Sequence, residues 1–436
     1  MTTQIFYFEA KHLVRNYYKV IALILFVLIS LYSIHYGHNL YQIRLNEIKK
    51  IVTESENNRN KIIKWFDEGI KGPEDRPWID ITNPFWALWN SNVYALNEPS
   101  ALMFFSVGQA ENFPYYKKIT VWATPYDADM VNEITNYERL ALGSIDFSFV
   151  IIYLLPILLL MLLHNIGGYE KDNRFYNLIK IQNYNHKKLL FLRSLFYLLL
   201  INLTVLFIVF GVGLFIGVTF DNLTPLLSFL IYSVLYSVFW FILFFLIILI
   251  SKSSSQQIIR MVVMWLLLCL IIPSTVSYYI GNKHPFDYMS DFIETDRKKL
   301  NDLYEIEPDS IKKLLVSIYP QIQNFPAYNN PQNLSELTGF SFRAVANELL
   351  KESYDKIIDV QLKRNYLAQN SYLFNPTAFF SNRFYSFSKT DFLSQINFQK
   401  EIANKIDKMI LILVEDLWNE QKVNKEKYSN YINQLK

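Results

Sequence analysis

A single cysteine, Cys269, stands in 436 residues, so no disulfide framework and no cysteine-based metal site can form within one chain. It lies inside an apolar run and reads as a small buried side chain. Twelve glycines and fifteen prolines are too few for a fibrous or disordered chain. No HExxH pattern and no GxxxxGK[ST] loop occurs, which removes the common zinc hydrolases and leaves ATP hydrolysis to some other protein. Charge is missing from several long stretches. Hydrophobic residues make up 52% of the chain and aromatics 17%, yet the mean hydropathy is only +0.13. Apolar segments must therefore alternate with ordinary solvated ones.

A bilayer core of about 30 Å needs roughly 20 apolar residues in helical form. Five stretches come close: Val20 to Tyr36, Phe147 to Ile166, Ser194 to Gly217, Pro225 to Ile250 and Met261 to Ile280. The second carries Pro156 and the fifth Pro273, which membrane helices tolerate when neighbours satisfy the freed carbonyls. The first has a basic leader (Lys11, Arg15, Lys19), but bulky Ile34, His35 and Tyr36 stand where a signal-peptide cleavage site would need small residues. It reads as an uncleaved anchor.

Orientation follows from the basic residues beside the spans. Residues 1–19, 167–193 and 251–260 together hold eleven Lys and Arg against three Asp and Glu, while the rest holds 31 against 36. The expected arrangement is a mainly α membrane protein with five transmembrane helices. The N-terminal segment 1–19 and the loops 167–193 and 251–260 are cytoplasmic. Two large extracytoplasmic segments, 37–146 and 281–436, lie on the other side.

The first outer segment opens with a charged helical stretch, Gln42 to Gly69, and then turns Pro- and aromatic-rich. Phe85, Trp86 and Trp89 fall within five residues there. They suit an ordinary core or an interfacial rim better than an exposed binding surface. In the second outer segment Ile402, Ile406, Met409, Leu413 and Leu417 recur at helical spacing, marking one apolar face of a mostly helical domain.

Several motifs resemble those of the permease subunit of ABC-2 type transporters, in particular bacterial permeases with an outer domain of unknown function (the DUF3526 family). Glu9 and Arg15 in EAKHLVRNYYKVIALILF match the opening amphipathic helix of that family. Ser106, Val107, Gly108 and Gln109 precede Pro114, Tyr115 and Tyr116 as in a family stretch. Gly143, Asp146, Phe147, Tyr153 and Pro156 stand at family-like positions around the second span, as do Pro376, Thr390, Asp391 and Phe398 near the end. Two features depart from the pattern. The loop after the second span keeps Glu170 and Leu178 but lacks the usual Gly-Thr pair, and the chain stops about where a sixth span would begin.

The resemblance implies a permease that forms the translocation pathway for export or extraction in a bacterial inner membrane. It implies a separate cytosolic ABC ATPase, which carries ATP and Mg, and a second permease subunit, either another copy or a paired chain. No cofactor belongs to this chain itself. An outer partner is compatible with the size of the outer segments. The loop 167–193 suits a coupling role. Gly167-Gly168 ends the second span, and Glu170 and Asp172 favour a new helix start. Phe175, Leu178 and Ile179 fall on one face beside Arg174 and Lys180. Such a helix fits a protein groove or a headgroup layer equally well; the resemblance favours the groove. Asp146 and Pro156 are candidates for gating, with Pro156 equally readable as a tolerated kink.

Other classes fit less well. Ionisable groups near the spans (His35, Asp146, His164, Asp221) sit at their ends, where an intramembrane enzyme would place them centrally. The basic loops are explained by the membrane bias and need no nucleic acid. The main alternative is a membrane receptor or sensor that binds a ligand outside and signals through a partner, because no cytoplasmic segment reaches thirty residues.

Overall fold

In the computed structural model, residues 2–124, 145–173, 185–216, 223–285, 294–329 and 332–435 are described below. The chain is mostly helical. Four helices are long and apolar enough to cross a membrane: Tyr17–Glu68 (α2), His186–Ile216 (α6), Leu223–Ile250 (α7) and Ser254–Lys283 (α8). A shorter apolar helix, Phe147–Leu163 (α4), covers most of the second expected span. It is the hub of a bundle: Phe147, Val150, Ile151, Leu155, Leu159 and Leu162 are all fully buried among the other helices. Those helices turn the opposite faces outward, with Ile24, Leu28, Leu203, Phe207, Ile231, Leu235, Val263 and Leu270 all exposed. An apolar bundle with apolar outward faces is the pattern of helices that meet lipid.

The N-terminal helix Thr2–Arg15 (α1) packs on α6 and joins α2 through Asn16. α2 itself runs for 52 residues, about 78 Å at the α-helical rise. The first expected span and the charged stretch after it are thus one continuous helix, ending where Gly69 takes the left-handed conformation (φ 71°). Its early residues Ala22, Phe26 and Ile34 join the bundle core, and Ile62 joins a second core beyond it.

That second core belongs to a helical head. The two segments that the sequence separates, 37–146 and 281–436, contribute to it jointly. From the first come helix Pro84–Trp89 (α3) and the antiparallel strands Val93–Leu96 (β1) and Tyr116–Ile119 (β2), paired Val93 to Ile119 and Leu96 to Tyr116. From the second come Thr295–Tyr304 (α9), Pro308–Ile318 (α10), Leu334–Asn370 (α11), Pro376–Phe387 (α12), Phe392–Trp418 (α13) and Lys425–Leu435 (α14). The α13 stripe Ile402, Ile406, Met409, Leu413, Leu417 is buried along its length. Phe85 stacks on Phe340 at 4.0 Å between ring centroids, so the aromatic run of the first segment is core. Trp418 Nε1 donates to Ser341 Oγ at 2.9 Å, and Val423 N to Thr82 O at 2.8 Å.

One element of the head reaches into the bundle. Asn375 caps α12 by accepting from Ala378 N at 3.2 Å, with Pro376 in the first turn. The helix then lays Phe380 and Phe384 into the bundle core against Tyr232, Tyr236 and Phe229 of α7.

Candidate functional site

At one end of the bundle, the turn after α4 is built for close approach. Gly167 has φ 73°, and a Cβ there would lie 2.7 Å from Leu190. A Cβ on Gly168 would lie 2.6 Å from Ser254 Oγ, so the pair both ends α4 and lets the short helix Gly168–Asp172 (α5) sit on α8. Of the six residues assigned to coupling from the sequence, Glu170 and Asp172 lie on this helix. Arg174, Phe175, Leu178 and Ile179 fall outside the described residues.

Glu170 shares the guanidinium of Arg193 with Glu9: Arg193 Nη1 donates to Glu170 Oε1, and Arg193 Nε to Glu9 Oε1. Arg193, the last residue before the third expected span, lies on α6 and Glu9 belongs to α1, so one side chain ties three elements. Tyr197 Oη donates to the other oxygen of Glu9 at 3.0 Å. Beside it Lys19, fully buried on α2, donates to Leu162 O at 2.7 Å and to Asn165 Oδ1 and Tyr197 Oη at 3.3 Å each. Two cations thus stand with two carboxylates; both oxygens of Glu9 are bonded, whereas Glu170 Oε2 is buried with no hydrogen-bond partner among the described residues. Further bonds hold α5 and the turn before it to α8 and the turn before that helix. Ser254 N donates to Asp172 Oδ2 at 3.2 Å, Lys171 Nζ to Ser251 O at 2.6 Å, and Gln257 Nε2 to Ile166 O at 3.1 Å. Side-chain bonds thus tie α5 to α1, α2, α6 and α8 in one network.

The other end of α4 starts at Asp146. Its carboxylate caps the helix by accepting from Phe149 N at 2.8 Å, and it also accepts from Gly108 N at 2.9 Å. Burial pushes its pKa up to about 6, against the pull of these N–H groups. Gly108 is at φ 52°, and a Cβ there would lie 2.6 Å from the Tyr385 ring. Ser148 Oγ donates to Ser106 Oγ at 2.7 Å, and Thr390 Oγ1 to Ser106 O at 2.9 Å. The Ser-Val-Gly stretch, Asp146 and Thr390, distant in sequence, form one buried latch between head and bundle.

Between the two ends lie two proline positions, each preceded by a π-helical turn: Val150–Leu154 before Pro156, and Leu267–Ile271 before Pro273. Proline donates no N–H, so a carbonyl in each preceding turn loses its partner. Tyr236 Oη donates to Ile152 O at 2.7 Å, four residues before Pro156. Thr377 Oγ1 of α12 donates to Leu268 O at 2.8 Å, the carbonyl that a π register would pair with residue 273. Trp265 Nε1 donates to Tyr153 O at 3.2 Å, linking the first turn to α8 just before the second. Side-chain bonds to carbonyls near the two prolines thus bridge α4, α7, α8 and the head.

Sequence reasoning placed Glu170, Asp172, Asp146 and Pro156 near these features. It counted Lys19 and Arg193 only as orienting charges and did not find Tyr197, Tyr236 or Thr377. An interior proline signals that a carbonyl needs a donor but does not say which distant side chain supplies it. No protein-family model, no curated protein and no solved structure matches the chain.

Proposed function

We propose that this chain is the membrane-spanning permease subunit of an ABC-2 type transporter, driven by a separate cytosolic ATPase and working beside a second permease subunit in a bacterial inner membrane. On this reading α4 crosses with the four longer helices, giving five spans. The N-terminus and the 167–193 loop face the cytoplasm and the head lies outside. The observation that carries it is the buried Arg193 link between Glu170 and Glu9. A loop that grips an ATPase must pass its movement to several spans at once, and this link joins α5 to α1 and α6 without a flexible intermediate. The two proline hinges then supply places where spans can bend, and α12 carries the movement to the head through Thr377 and Phe384.

The test is to replace Phe175, Leu178 and Ile179 together with Asp. The expected result is a chain that still inserts into the membrane and no longer copurifies with its ATPase. Undiminished ATPase recovery from that variant would overturn the docking role of the loop.

A further inference from the structure

The head contains a cavity of about 600 Å³ between α10, α11 and α13, within the range of sites that enclose a small organic ligand. Its floor is Ala344, Ile396, Ile410 and Asn347. Asn347 is only 6% exposed, yet among the described residues neither its Oδ1 nor its Nδ2 has a hydrogen-bond partner. A buried carboxamide with both ends unpaired is destabilising, and it calls for a partner that the protein does not itself supply.

The chemistry of that partner is constrained. A carboxamide offers an acceptor and a donor side by side. A phosphate or carboxylate would leave Oδ1 unmatched, and an ammonium would leave Nδ2 unmatched. A peptide bond, or another amide, matches both. The rim carries Lys351, Lys400 and Lys408 against Glu348, Asp355 and Asp407, a balance that favours neither an anion nor a cation and suits a zwitterion. The isoleucines of the floor suit aliphatic side chains.

We propose that this cavity binds a short unblocked peptide, with the Asn347 carboxamide pairing with a peptide bond and the rim charges receiving the two termini. The site is independent of the ATPase, so its failure and the failure of the permease reading are separate results.

The experiment is calorimetric titration of the full chain in detergent micelles with a pool of unblocked Leu-X-Leu tripeptides, with free adenine as a probe that matches the amide but lacks termini. Wild-type protein is expected to bind the peptides and not adenine. Asn347→Leu, of nearly the same shape, is expected to weaken binding by about tenfold or more, the loss of roughly one to two buried hydrogen bonds. Without ligand the same variant is expected to melt at a higher temperature, because two unpaired buried atoms are removed. Absence of heat with the peptide pool would overturn the proposal, as would binding of adenine alone. A variant that melts lower than wild type would also overturn it, by showing that Asn347 is already paired.

Discussion

Replacing Arg193 with Met isolates the link on which the mechanical account depends. The three side chains involved are well covered: Arg193 is 17% exposed, Glu9 7% and Glu170 14%. Removing the guanidinium leaves two buried carboxylates near each other with no shared cation. Loss of one member of a buried ionic group costs about 3–5 kcal/mol. The exposed Lys356–Glu352 pair is the control; both side chains are more than 70% exposed, and water and salt screen such a pair until it contributes little. A chain of 436 residues shifts by about 1 °C of melting temperature per kcal/mol, so Arg193→Met should melt about 3–5 °C lower, and Lys356→Met within about 1 °C of wild type. The triple variant Glu9→Gln, Glu170→Gln, Arg193→Met should recover at least half of the loss, because no uncompensated charge then stays buried. The assay is retention of the monodisperse peak after heating the micelle-solubilised chain, read by fluorescence-detected size exclusion. Equal melting of the Arg193 and Lys356 variants would refute the reasoning, and so would a triple variant that melts below the single one.

Other perturbations address the hinges and the latch. Tyr236→Phe and Thr377→Val each leave a buried carbonyl without its donor, and each should cost about 1–3 kcal/mol in the same melting assay, against no change if water replaces the hydroxyl. Gly37→Ala places a Cβ 2.2 Å from Phe104 O and should lower melting sharply, whereas Gly211→Ala, with open space around it, should not. Asp146 has a folded-state pKa near 6, above the 3.8 of an unperturbed aspartate, so folding favours the protonated group. Its contribution is fully present below about pH 4 and is lost as pH rises through about 6. Wild-type stability relative to Asp146→Asn should therefore fall between pH 4 and pH 7; a constant difference across that window would contradict the burial argument.

The large divisions of the fold were legible because they rest on local physics. Apolar runs of bilayer length gave four of the long helices, and the i, i+3, i+4 stripe from Ile402 to Leu417 marked the buried face of α13. Gly69 and the Gly167-Gly168 pair marked helix ends because only glycine meets the left-handed backbone or the close contacts at those points. What sequence could not show was long-range partnership. Arg193 and Glu9 are separated by 184 residues, and Tyr197 and Lys19 by 178, with no periodicity to connect them. The shared core of segments 37–146 and 281–436 was hidden for the same reason, since Phe85 and Phe340 each look like the core of their own segment. α12 was hardest to see: twelve residues with four phenylalanines and a tyrosine read as ordinary head sequence until they are found packed on Tyr232 and Tyr236.

The most direct test of the permease reading is mild-detergent purification of the tagged chain from its native host, with mass spectrometry of everything that accompanies it. The account predicts a stoichiometric cytosolic ABC ATPase and a second permease subunit, either another copy of this chain or a paired one. Recovery of a kinase or regulator instead, with no ATPase under conditions that hold known transporters together, would contradict it and favour a receptor.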